Sequence, residues 1–227
     1  MCFTPSIREM SSLDISFWNI HGHRLQNIGN KLNDPEFLDL LEGRDIVGIG
    51  ELHAKEEVSI PGFVNKKQKI RAKNFNGPKV AGGIAVFVRE EIDHLVKVVE
   101  NKNEDSIWIK IINENSDGED VYLGTFYVSP ENSNDRNRKN YDFSSAINEE
   151  LAIFSKKGLV LMQGDFNCRT GQELDFLGSD KSDVELGMEN YDDQTLRNSE
   201  DKTINPRGKE LLDICKLNDL IILNTYR

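Results

Sequence analysis

Residues 159–171, LVLMQGDFNCRTG, constrain the possible folds of this chain more than any other stretch. Leu159, Val160, Leu161 and Met162 make an unbroken apolar run between Gly158 and Gly164. That pattern predicts a strand buried on both faces and bounded by breakers. Asp165 and Asn167 follow, two residues apart. If the strand continues through them they point to the same side, because side chains alternate along a strand. A carboxylate and a carboxamide then emerge together where a buried strand leaves its sheet, the edge at which open α/β sheets bind ligands. The alternative is a plain turn, for which Gly-Asp-x-Asn is suitable chemistry.

An apolar run closed by a polar residue recurs along the chain. Residues 13–19 (LDISFWN) alternate and end at Asn19, ahead of Ile20-His21-Gly22. Residues 45–51 (DIVGIGE) end at Glu51, followed by Leu52 and His53. Between them, Asn33-Asp34-Pro35-Glu36 reads as a helix start; Phe37, Leu38, Leu40 and Leu41 supply its buried face, and Gly43 stops it. Gly82-Gly83 precede a strand at 84–89. Further strands are expected at 95–99 and 106–112, the second joined by a turn at 113–120 to an antiparallel partner at 121–128, closed by Ser129-Pro130. Phe143, Ile147, Leu151 and Phe154 recur every three or four residues and predict a helix over 141–157, ended by Gly158. Residues 172–206 are polar and acidic and read as a long surface loop. Leu211, Leu212, Ile214, Cys215 and Leu217 predict a last helix, and 220–223 a last strand. Strands in both halves, hairpins between them and few helices predict an α/β (α+β) architecture of two packed mixed sheets with helices outside.

At 227 residues the chain suits one domain over 13–227 behind a tail at 1–12. Its 30% charged and 37% apolar residues exclude wholesale disorder. The N-terminus lacks a basic start followed by an apolar core, so it does not read as a signal peptide, and no apolar run approaches the roughly 20 residues of a membrane span. Cys2, Cys168 and Cys215 are widely spaced without a CxxC, which argues against a disulfide framework or a zinc site and suits a reducing cytoplasm or nucleus. The formal charge of −11 speaks against a protein held to nucleic acid by bulk electrostatics. Acidic residues can collect a divalent cation, or merely keep a protein soluble. Two basic segments run against the trend: Lys66, Lys67, Lys69, Arg71 and Lys73, and a loop with Arg136, Arg138 and Lys139. They read either as contacts to a phosphate backbone or as solvated loops.

Four strand ends thus carry Asn19, Glu51, Tyr127 with Ser129, and Asp165 with Asn167. Singly these are a solvated Glu, a core Tyr with a wet hydroxyl and two turn residues. Together they suit magnesium and phosphate: the ion takes oxygen ligands, uses one or two carboxylates and keeps waters, while Asn and Tyr bond phosphate without adding negative charge.

The words FWNIHG, GIGELH, GGIAVFV, GTFYVSP and GDFNCRTG, in this order, resemble the endonuclease/exonuclease/phosphatase superfamily with its four-layer, DNase I-like sandwich. GDFN with R-T-G after it, then N-x-x-G-x-x-LLD-x-C, looks most like the apurinic-endonuclease-like nucleases of non-LTR retrotransposons. The resemblance spans 13–227 and implies a magnesium-dependent DNA endonuclease, with manganese able to replace magnesium. It assigns Glu51 as the metal ligand and Asn19 to organising metal and phosphate. Tyr127 would bond the scissile phosphate, Asp165 would orient or deprotonate the attacking water, and Asn167 is its partner. His53, Lys69, Arg71, Arg136 and Arg138 are the candidates for substrate contact. His21 stands where some relatives carry an acidic residue, which bears on any second metal position there. Relatives end with a Ser-Asp-His motif after a strand bearing another Asp. The histidines here are His21, His23, His53 and His94, so the resemblance implies a domain lacking its last strands and catalytic His, weak or inactive as given. The alternatives are a hydrolase of a small phosphate ester, such as a phosphoinositide, and a non-catalytic remnant of the fold.

Overall fold

The computed structural model describes residues 12–25, 29–70, 82–115, 118–130, 142–176 and 199–223. In chain order the elements are β1 (Ile15–Asn19), β2 (Arg24–Leu25), β3 (Gly29–Asn30), α1 (Pro35–Leu40), β4 (Ile46–Gly50), β5 (Phe63–Lys69), β6 (Ile84–Arg89), β7 (Val96–Val99), β8 (Ser106–Ile111), β9 (Val121–Tyr127), α2 (Phe143–Phe154), β10 (Leu159–Asp165) and α3 (Pro206–Leu217). Two four-stranded sheets have the orders β1-β4-β6-β5 and β10-β9-β8-β7, with β2 and β3 as a small hairpin. β1 is parallel to β4, and β6 is antiparallel to both β4 and β5. β7, β8 and β9 form an antiparallel meander. β10 runs the same way as β9: Leu159 N donates to Asp120 O at one end, and Gly164 lies on the Phe126 backbone at the other. Both sheets are therefore mixed, and the α+β architecture is the one the sequence pattern predicts.

The chain forms two compact units, Met1–Tyr127 with Gly158–Gly164, and Val128–Lys157 with Asp165–Arg227. In the first unit, β6 is apolar up to Arg89 because both its faces are buried. Ile84, Val86 and Val88 pack with Ile46, Ile107, Ile109 and Leu123 between the two sheets. Ala85 and Phe87 face the other way, onto Val47, Ile49, Leu52, Leu32 and Leu41. Each such side chain removed from water contributes about 1.5–3 kcal/mol. In the second unit, Asp142 caps α2 by accepting from Ser145 N, and Phe143, Ile147, Leu151 and Phe154 are buried. Asn205 caps α3, where Leu211, Leu212, Ile214 and Cys215 are buried. Asn218 Nδ2 donates to Asn148 Oδ1, linking the end of α3 to α2.

Several expectations are corrected. β10 is not buried on both faces: it ends the order of its sheet among the described residues, and Leu159 and Leu161 are 56% and 41% exposed. Gly158 bounds β10 as expected but Gly164 lies within it, and both are sites of close approach: a Cβ would stand 2.2 Å from Asp120 O at Gly158 and 2.1 Å from Phe126 O at Gly164. The basic segment holds a strand, β5, which pairs with β6 through a register shift between Asn65 and Lys67. Leu40 and Leu217 are exposed, because α1 is only six residues long and α3 ends at Leu217. Residues 220–223 form no strand; Ile222 N is tied instead to Asp175 Oδ2. No helix among the described residues is long and apolar enough to cross a membrane. The predicted tail at 1–11, Tyr141 and most of the acidic loop (177–198) lie outside the described residues.

Candidate functional site

In the first unit, β1 and β4 run side by side with Asn19 opposite Gly50, so the chain leaves both strands at the same rim. The pairing continues beyond them: Gly22 N donates to Glu51 O and His23 N to Leu52 O. On the far side of this segment Leu52 N and His53 N donate to Gly83 O and Gly82 O. Gly82 and Gly83 have φ of 73° and 94°, a conformation glycine adopts without penalty. Held between these neighbours, His21, Glu51 and His53 sit at φ of 48°, 53° and 50°, a region that non-glycine residues rarely occupy. Strain of this kind persists where the surroundings over-determine it.

β9 of the facing sheet brings Tyr127 to the same carboxylate. Gly48 and Gly50 on β4 leave the room: a Cβ at Gly50 would stand 2.7 Å from Phe17 Cζ and 3.4 Å from Tyr127 Cδ2, and one at Gly48 would be 2.6 Å from Thr125 Cγ2. The Tyr127 hydroxyl donates to Glu51 Oε1 at 2.8 Å. His21 Nδ1 lies 2.7 Å from Glu51 Oε2 and His53 Nε2 lies 3.9 Å from it. The Asn19 side chain also bonds Glu51, and its Oδ1 accepts from His21 N at 3.2 Å. Asn19 therefore turns its amide N–H towards Glu51 and orients the carboxylate. Burial raises the pKa of Glu51, but hydrogen bonds from Tyr127, Asn19 and His21, with the His21 charge, outweigh it and hold the group below its ordinary value. His53 is pushed below its ordinary value chiefly by burial, with Glu51 opposing and His21, His23 and Lys31 adding to the depression, so it is neutral at pH 7.

Asp165 and Asn167 belong to the second unit. The strand ends at Asp165, and Asn167 adopts φ 50°, so strand alternation does not carry both to one side. They form a turn in which Asn167 N donates to Asp165 Oδ1, while Asn167 Nδ2 donates to Val128 O. The turn is therefore the alternative found, and the Asn167 backbone N–H fixes the orientation of the Asp165 carboxylate. Asn205 supports it, accepting from Arg169 N and donating to Asn167 O. Gly208 fits against the same turn, where a Cβ would stand 2.0 Å from Arg169 O. The N-x-x-G of the sequence is thus helix cap and close-approach glycine.

The substrate-contact candidates fall differently. All three donors of Lys69 Nζ are engaged, by Asn101 Oδ1, Asn103 O and Ser106 O, and fasten the loop before β8. Lys66 pairs with Asp93, and Lys67 with Glu100. Arg71, Arg136 and Arg138 lie outside the described residues. His21 is the residue that sequence reasoning missed. It was weighed as a replaced acid, whereas its position two residues after a strand-end Asn and before a glycine brings it back onto Glu51. Among the described residues no group of three or more His, Cys, Asp or Glu is placed to hold a metal ion.

The fold defines an α+β protein of two packed mixed sheets. No protein-family model and no curated protein matches the chain. Solved structures that it is similar to include the human Nocturnin catalytic domain with bound sulfate anion, at a TM-score of 0.41 and 15% identity, covering 67% of this chain and 62% of that one. The chain thus spans less than two thirds of that neighbour's length.

Proposed function

We propose that this chain is a divalent-metal-dependent phosphodiesterase of the DNA-endonuclease type found in non-LTR retrotransposons. The observation that carries the reading is the Glu51 carboxylate just past β4, kept ionised by Tyr127 at the end of β9, by Asn19 at the end of β1 and by His21 just beyond it. The residues fit a hard cation: magnesium needs one or two carboxylates and keeps waters. A carboxylate has about four acceptor sites, and three neighbours leave room for an ion. Glu51 would hold it, with Asn19 and Tyr127 orienting Glu51. When bound, such an ion polarises a phosphoryl group and steadies the leaving oxygen. Asp165 is assigned the attacking water, and Asn167 fixes Asp165 through its backbone N–H. The Tyr127 hydroxyl has one proton and gives it to Glu51, so contact with phosphate would require that bond to be exchanged.

Nicking of supercoiled plasmid in the presence of Mg²⁺ tests the reading. Glu51→Gln and Asp165→Ala should each lower the rate by about a hundredfold or more, as loss of an acid–base group does. Nicking that is as fast without Mg²⁺, or an Asp165→Ala protein as fast as an active parent, would overturn it. A second reading is a hydrolase of small phosphate esters. It is supported by the charge of −11 and by the engagement of Lys66, Lys67 and Lys69 within the protein. Release of phosphate from soluble inositol phosphates, without binding of labelled duplex, would favour it.

A further inference from the structure

We infer that His21 and Glu51 form a mixed nitrogen–oxygen pair that binds a first-row transition-metal ion in preference to Mg²⁺. His21 Nδ1 and Glu51 Oε2 stand 2.7 Å apart, on a rim where the His21 side chain is 77% exposed. Adjacent ligands of an octahedral ion with bonds of about 2.1 Å stand about 3 Å apart, so the two atoms need to part by only a few tenths of an ångström, with the exposed imidazole turning its Nδ1 from the Glu51 oxygen to the ion. The backbone on both sides is already fixed: Gly22 N bonds Glu51 O, and His21 N bonds Asn19 Oδ1. An ion therefore meets two side chains whose backbones are already fixed side by side.

The chemistry of the donors selects the ion. Magnesium and calcium favour carboxylate, carbonyl and water, whereas imidazole nitrogen suits transition ions, whose affinities rise from Mn²⁺ to Co²⁺ and beyond. Asn19 Oδ1 already accepts from His21 N and its amide N–H faces Glu51, so its place in the pair is to orient both partners. His53 Nε2 stands farther from the same oxygen, at 3.9 Å. The protein thus supplies two ligands, and water or a substrate oxygen completes the shell.

The inference rests on reading Glu51 as a cation ligand, and it is tested without turnover. The full chain is titrated with MnCl₂, CoCl₂ and MgCl₂ by calorimetry, and its Mn²⁺ complex is examined by pulsed electron paramagnetic resonance for coupling to an imidazole nitrogen. Co²⁺ should bind more tightly than Mn²⁺, Mn²⁺ more tightly than Mg²⁺, and the nitrogen coupling should be present. His21→Asn tolerates the left-handed backbone. It should abolish the coupling and lower Mn²⁺ affinity at least about tenfold, as loss of even a supporting group does, while Mg²⁺ binding stays within about twofold. Glu51→Gln should remove the site for all three ions and separates it from ions held by other surface acids. Absence of nitrogen coupling, or an unchanged Mn²⁺-to-Mg²⁺ ratio in His21→Asn, leaves His21–Glu51 as an ion pair and overturns the inference. Histidine-dependent binding beside nicking that Asp165→Ala leaves unchanged would uphold the inference and sink the nuclease reading.

Discussion

At the scale of single residues, Glu51 stays ionised against its own burial, and that has consequences for pH. Its folded pKa lies below the ordinary 4.5, so an unfolded chain takes up the proton first as the solution is acidified. The stability this group contributes is whole above pH 4.5 and is lost as pH falls below that value through the folded pKa. Glu51→Gln should therefore lessen the fall in melting temperature below pH 4.5 relative to the parent protein. His53 acts in the same direction in a higher window: its pKa is depressed from 6.5, so its contribution is complete above that pH and drains below it. Tyr127→Phe removes a hydroxyl donor to a charged acceptor; a loss of about 1–2 kcal/mol and a rise in the Glu51 pKa, followed by NMR titration, are expected.

At the scale of elements, small residues decide where the strands can meet. Gly164 has φ 143° and its position is closed by Phe126 O, so Gly164→Ala should unseat β10 and cost more than about 3 kcal/mol in chemical denaturation. Gly50→Ala pushes on the Phe17 ring; a loss of about 1–3 kcal/mol is expected in chemical denaturation. β6 was legible in the sequence because both its faces are buried, which leaves an unbroken apolar run. β5 was not: FVNKKQK ends the order of its sheet among the described residues, and its lysines reach out to Asp93, Glu100 and the loop at 101–106, so neither alternation nor apolar character marks it. Leu220 to Leu223 misled in the opposite sense, since an apolar run becomes a strand only where a partner pairs with it. Asn19, Glu51 and Tyr127 could be found as strand ends. The contact of His21 could not, because it depends on a left-handed turn that no periodicity reports.

At the scale of the whole molecule, charge and edges set how the protein meets others. With a charge of −11 and Lys66, Lys67 and Lys69 engaged within the protein, any duplex it binds should be gripped at few phosphates. The slope of log affinity against log salt should then be shallow, about −2 to −3, and a slope near −8 would mean a basic surface outside the described residues. β10 has a neighbour on one side only among the described residues, and carries exposed Leu159 and Leu161. Such a border is a template on which other polypeptides can grow. Concentrated solutions should therefore lengthen into thioflavin-positive fibres, and one lysine in place of Leu161 should delay their onset while leaving the melting curve where it was.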